Sequence, residues 1–185
     1  MSAKHRIDED TSLEEVAALV CTTLEAHDIS VVLSGGAVVS IYCDAEYVSY
    51  DLDFIPLGLA RRVDGAMESL GFEKHQRHWT HPRSRYWVEF PPGPVAIGEE
   101  TIRTFAERET RTGTLRLLAP TECVMDRLAW YIHDADTQCL AQAVRVATLH
   151  PVDLKRIERW ARGERPHGEK RFREFQRRMN EAAGE

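Results

Sequence analysis

A chain of 185 residues, 43% of them hydrophobic, can bury one sizeable core. Its formal net charge of −6 argues against a general electrostatic grip on nucleic acid or an anionic membrane and leaves only local patches. The four cysteines (Cys21, Cys43, Cys123 and Cys139) form no C-x-x-C pair, which favours buried, reduced thiols over a disulfide frame or a zinc site.

The opening MSAKHRIDED is polar and lacks signal-peptide character, and no apolar run reaches membrane-spanning length, so a cytoplasmic protein with no membrane partner is expected. Thr11 and Ser12 each precede a glutamate by three residues, Glu14 and Glu15, which is the capping-box pattern. Leu13, Val16, Ala17, Val20 and Leu24 then recur at helical spacing, and the helix is expected to end at His27 and Asp28. ISVVLS, rich in β-branched residues, reads as a buried strand broken by Gly35 and Gly36, after which AVVSIYC resumes as a helix. YDLDFIPL alternates polar and apolar and reads as a second strand, with Asp51 and Asp53 on one face and Leu52 and Phe54 on the other.

Residues 59–70 are expected to be helical, with Val63, Met67 and Leu70 inward and Gly71 at the C-terminus. FEKHQRHWTH and SRYWVEF read as two strands joined by a turn at Pro82–Ser84, and RETRTGTLRLLAP as a hairpin centred on Gly113. Four helices close the chain: TECVMDRLAWYIHD opened by Pro120 and Thr121, TQCLAQAVRVATL, VDLKRIERWARG and a charged C-terminal one. The mixed basic and acidic residues after Pro151 read as a solvated helical face. The order predicts an α+β fold: an α/β core over 1–119, with a mixed sheet flanked by helices, then a helical bundle over 120–185.

Two carboxylates two positions apart on a strand project from one face, roughly 6–7 Å apart along the backbone. Asp51 and Asp53 can therefore converge on a small hard cation, with Glu89 of YWVEF as a third acid on another strand. Ser34-Gly35-Gly36 supplies the other half, because glycine lets the backbone approach a phosphate and a following helix start offers unpaired amides. Asp-Leu-Asp or Gly-Gly alone would say little; their order along the chain carries the reading. His75, His78 and His81 are spaced by three, which does not place them on one strand face, and solvated histidines are expected. His133-Asp134-x-Asp136 reads as a cap for the next helix, and Trp79 and Trp87 as core or cross-strand packing. P-loop, serine-hydrolase and zinc-protease motifs are absent from the sequence.

Ser34-Gly35-Gly36, Asp51-Leu52-Asp53-Phe54 and Val88-Glu89-Phe90 together resemble the motifs of the DNA polymerase β-like nucleotidyltransferase superfamily. Within it the chain is most similar to small stand-alone members of the AbiEii and minimal-nucleotidyltransferase type, several of which are toxins of toxin–antitoxin or abortive-infection systems. The resemblance covers residues 12–92 by motif and extends loosely to the helices after them. It implies a fold of that type and transfer of a nucleotide from an NTP, ATP among them, to a hydroxyl of RNA (a tRNA end) or of a protein side chain. It implies Mg²⁺ or Mn²⁺ held by Asp51, Asp53 and Glu89, which would also be the catalytic residues. Ser34, Gly35 and Gly36, with Arg127 on the first helix after the core, would contact the nucleotide, and a cognate antitoxin would be a partner. The alternatives are a catalytically inactive binding module on the same fold and a structural domain in which the aspartates only edge a sheet.

Overall fold

Reciprocal capping sets the first helix. In the computed structural model, which describes residues 7–58 and 62–184, Ser12 Oγ accepts from the Glu15 amide at 3.3 Å. Glu15 Oε2 accepts from the Ser12 amide at 3.1 Å, so α1 runs Leu13–Glu25 from a closed capping box. Leu13, Val16, Ala17, Val20 and Leu24 are buried as their spacing requires, and Ala18, Leu19 and Cys21 are buried as well. The helix is thus covered on more than one side, by the sheet and by its own neighbours. It ends at Glu25, slightly before the expected stop, and Asp28 follows with a left-handed backbone (φ 59).

The remaining elements in chain order are β1 (Val31–Ser34), α2 (Gly36–Tyr42), β2 (Asp51–Pro56), α3 (Asp64–Ser69), β3 (Glu73–His75), β4 (His78–Thr80) and β5 (Trp87–Glu89). After them come β6 (Ala96–Ile97), β7 (Glu100–Thr101), β8 (Ala106–Thr110), β9 (Gly113–Leu117), α4 (Pro120–Asp134), α5 (Thr137–Leu149), α6 (Leu154–Gly163) and α7 (Gly168–Ala183). Seven strands form one mixed sheet in the order β3-β4-β5-β2-β1-β9-β8, while β6 and β7 pair separately. The β2–β5 and β1–β9 pairs are parallel and the others antiparallel. The predicted α+β class and mixed sheet are therefore present.

Three readings change. FEKHQRHWTH is not one strand: it folds back on itself at Gln76–Arg77, with Gln76 left-handed (φ 57), so β3 pairs with β4 and β4 with β5. No glycine, proline or asparagine announces that turn, so the usual punctuation was missing. His75 and His78 become cross-strand partners and do share a face, contrary to the spacing argument. Trp79 pairs with Val88 and Thr80 with Trp87, so the two tryptophans face opposite sides; Trp79 is core and Trp87 is half-buried. The expected helix over 59–70 is shorter, Asp64–Ser69, with residues 59–61 lying outside those described and Gly71 left-handed (φ 87) beyond its end.

The core is continuous from α1 through the sheet to the C-terminal helices, with Phe54, Phe72, Phe175 and Met125 among its fully buried side chains. All four cysteines are free and buried. Asp136 caps α5 as its sequence context implied, accepting from the Gln138 and Cys139 amides at 2.9 and 3.0 Å. The helical region is tied to the small sheet through Arg156 of α6. Its guanidinium lies 2.8 Å from Glu100 Oε1 and also binds Glu122, which is only 3% exposed. Arg156→Ala leaves Glu122 buried without its cation and is expected to lower stability by about 2–3 kcal/mol in urea denaturation, with Glu122→Gln in that background restoring part of it.

Candidate active site

The pairing of β2 builds the site. Antiparallel pairing with β1 puts Ser34 opposite Asp53, and parallel pairing with β5 puts Glu89 beside Asp53 and Trp87 beside Asp51. Ser34, Asp53 and Glu89 thus form one lateral row across three strands, with Asp51 one pleat away on the same face. Leu52, Phe54 and Val88 point the other way and are fully buried. All three sequence-predicted acids are brought together on one side of the sheet.

The glycine turn closes over this row. Gly35 has φ 74 and ψ −154, a backbone region open essentially to glycine alone. A Cβ there would sit 2.8 Å from Asp53 Oδ2, so the turn passes directly over the carboxylate. Gly36 is the first residue of α2 and faces Ser49, whose hydroxyl donates to the Asp51 carbonyl at 3.2 Å. Ser34, about nine-tenths buried, donates to the Asp53 carbonyl at 3.4 Å. Fourteen residues separate Gly36 from Asp51; α2 fills the first half of that interval, and an irregular segment with left-handed Asp44 and Ala45 brings the chain back.

The acids differ in their surroundings. Burial, and after it the charges of Asp51, Glu89 and Asp126, push Asp53 up to about 6. Burial and the Glu89 charge raise Asp51, whose Oδ1 is buried and accepts no hydrogen bond. Glu89, by contrast, meets neighbours that the sequence did not flag: His78 Nδ1 lies 2.6 Å from its Oε1 and Arg77 Nε 3.5 Å from its Oε2. Both come from the unannounced β3–β4 hairpin. Arg127, 11% exposed, is paired with Asp126 at 2.5 Å and donates to Cys139 Sγ at 3.7 Å. Its charge lowers Asp53 while that of Asp126 raises it, so α4 borders the acid cluster. Asp126 is a further acid of the site that no motif marked.

Among the described residues, no three His, Cys, Asp or Glu side chains converge closely enough to hold a metal ion as they stand. The donor chemistry nevertheless fits a hard divalent cation at Asp51 and Asp53. An orphaned carboxylate oxygen, a second carboxylate held above its usual range by burial and by like charge, and a backbone turn tight against it are what such an ion would relieve. Mg²⁺ commonly takes only one or two protein carboxylates and fills its other positions with water and phosphate. Glu89, next to Asp53 across the β2–β5 pairing, also meets His78 and Arg77.

No protein-family model matches the chain, and no curated protein sequence matches it. Among solved structures, an antigenic nucleotidyltransferase-like protein from Paracoccidioides brasiliensis superposes over 91% of this chain and 95% of its own, with a TM-score of 0.54 at 13% identity. The antibiotic-resistance factor ANT(2'')-Ia aligns over 84% of this chain and 96% of its own at 14% identity, with a TM-score of 0.43. The fold of this chain is nucleotidyltransferase-like.

Proposed function

We propose that the chain is a metal-dependent nucleotidyltransferase that moves a nucleotide from an NTP, ATP among them, to a hydroxyl acceptor. The observation that carries this reading is the row Ser34–Asp53–Glu89 with Asp51 beside it, under a glycine turn too tight for any Cβ. Asp51 and Asp53 would hold Mg²⁺ or Mn²⁺, which when bound stabilises the charge that develops on phosphate oxygens. The Gly35 backbone and the Ser34 hydroxyl lie beside Asp53, where a triphosphate would rest. Since α2 has only seven residues, its contribution is a set of unpaired amides more than a macrodipole. Arg127 sets the charge at Asp53 through its pairing with Asp126.

In the transfer, the acceptor oxygen bonds to the α-phosphorus, the bond to the bridging oxygen breaks and pyrophosphate leaves. Glu89 would receive the hydroxyl proton. An RNA end, particularly of tRNA, and a protein side chain are the proposed acceptors. A toxin role with a cognate antitoxin, in the cytoplasm, is the proposed setting, supported by the motif resemblance and by four buried thiols. No described helix is long and apolar enough to cross a membrane. One observation favours an inactive binding module instead: the contacts that His78 and Arg77 make with Glu89.

Incubation with each labelled NTP, Mg²⁺ or Mn²⁺, and total RNA or cell extract tests the proposal. Label transfer is expected from the native chain and a loss of at least about a hundredfold from Asp53→Ala. Transfer that survives in Asp53→Ala moves the site elsewhere, and absence of both transfer and cation binding favours the inactive module. Gly35→Ala, with a Cβ against Asp53 Oδ2, is expected to abolish nucleotide binding in calorimetry while the circular dichroism spectrum is kept.

The acid cluster also predicts a stability profile. Asp53 titrates near 6 in the folded chain against 3.8 as an isolated group, so the folded state holds the proton more tightly. Stability from this group is full below about pH 4 and is lost as pH rises through 6. Asp53→Asn is therefore expected to be more stable than the native chain above pH 6, by about 1–2 kcal/mol after allowance for solvent screening, with the difference vanishing below pH 4. Thermal melts at pH 4 and pH 7.5 without divalent cations check this.

A further inference from the structure

Residues 74–88, KHQRHWTHPRSRYWV, carry Lys74, Arg77, Arg83 and Arg85 with three histidines and no acid, in a chain of net charge −6. The stretch builds the β3–β4 hairpin and runs into β5, so the fold lays it along one flank of the acid cluster. Lys74 turns to the back of the sheet, where it lies over Trp79. Arg77 and Arg85 stay exposed at the flank: Arg77 reaches the Glu89 carboxylate, and Arg85 lies 5.2 Å from the centre of the Tyr86 ring.

An aromatic surface adjoins these two arginines. Trp87 shares the face of Glu89, two positions on, and is the cross-strand neighbour of Asp51. Unlike Trp79 it stands outside the core, half-buried beside the acids. Tyr50, 45% exposed, stacks on Trp87 at a ring separation of 6.3 Å and an angle of 21°. The Trp87 amide donates to the Tyr50 carbonyl at 3.0 Å, and the buried ring of Tyr86 also stacks on Tyr50, so the pair is held in place.

The direction of the proposed transfer decides which substrate meets this flank. The row Ser34–Asp53–Glu89 runs from β1 to β5, with the glycine turn at one end and the carboxylate assigned the acceptor proton at the other. In-line displacement sets the acceptor opposite the leaving pyrophosphate. With the pyrophosphate against Gly35, the acceptor hydroxyl enters from the β5 end, where Trp87, Tyr50, Arg77 and Arg85 lie. A protein side chain calls for neither an aromatic stack nor phosphate-pairing cations. A single-stranded RNA end uses both, since its bases stack on aromatic faces and its phosphates pair with guanidinium forks.

We infer that Trp87 and Tyr50 form the platform on which the terminal base of an RNA acceptor stacks, with Arg77 and Arg85 on its phosphates; the assignment rests on the nucleotide-transfer reading above. Fluorescence anisotropy of the full chain with a 5′-labelled single-stranded RNA dodecamer, and with the same RNA lacking its 3′-terminal base, separates the stack from the charge. The intact RNA is expected to bind about tenfold more tightly than the abasic one. Trp87→Ala removes that difference, Tyr50→Ala reduces it and Trp87→Phe keeps most of it, with circular dichroism verifying each fold. Arg77→Ala combined with Arg85→Ala weakens both RNAs alike and lowers the slope of log affinity against log salt by about 1.4, the share of two single-strand phosphates. Equal affinity of the native chain for the two RNAs, or a difference that survives Trp87→Ala and Tyr50→Ala together, overturns the assignment. Absence of RNA binding, with label passed to protein in the transfer assay, overturns it too and leaves the transfer reading with a protein acceptor. Base-dependent RNA binding without transfer of label keeps the platform and removes the transfer reading.

Discussion

Everything at the site depends on β2 lying between an antiparallel and a parallel neighbour. β1 approaches it head-on and ends in the glycine turn; β5 runs alongside and carries Glu89. Side chains alternate with a period of two, so a slip of one residue in either pairing would turn an acid into the core and a leucine into the cleft. The buried set of Leu52, Phe54 and Val88 forbids that slip, since each is fully enclosed on the opposite face. Hydrophobic burial on one side of the sheet thus fixes the polar geometry on the other.

The carboxylates so gathered are handled in two ways. Glu89 meets His78 and the exposed guanidinium of Arg77. Asp51 and Asp53 are left with each other, under a backbone turn and beside Asp126. A fold shaped only for stability would not keep an unbonded buried carboxylate oxygen next to a like charge. Such a local departure from good packing is the observation on which the proposed cation site rests.

Much of this could be read from the residues because the strongest signals were local. The capping box at Ser12, the β-branched run into Gly35, the alternation through Asp51–Phe54 and the cap at Asp136 each have short-range causes, and each appears at its place. What stayed hidden was non-local or unpunctuated. The turn at Gln76–Arg77 uses a left-handed glutamine, and with it went the pairing of His75 with His78 and the contact of His78 with Glu89. The meeting of Asp126 with Asp53 needs the crossing of α4 past the sheet, which no pattern along the chain encodes. The ends of helices differed by a few residues where no glycine or proline set them.

Tyr42, the last residue of α2, donates its hydroxyl to the Leu118 carbonyl at 2.8 Å just before α4 begins, and its own carbonyl meets His150 Nε2 at 2.7 Å just after α5 ends. The short helix that starts at the glycine turn is therefore pinned at its far end by both boundaries of the α4–α5 pair. The C-terminal helices are for that reason poor material for exchange between distant relatives. A graft that kept the acid motifs but lacked a hydrogen-bonding side chain at position 150 would inherit the residues of the turn without the anchor that orients it.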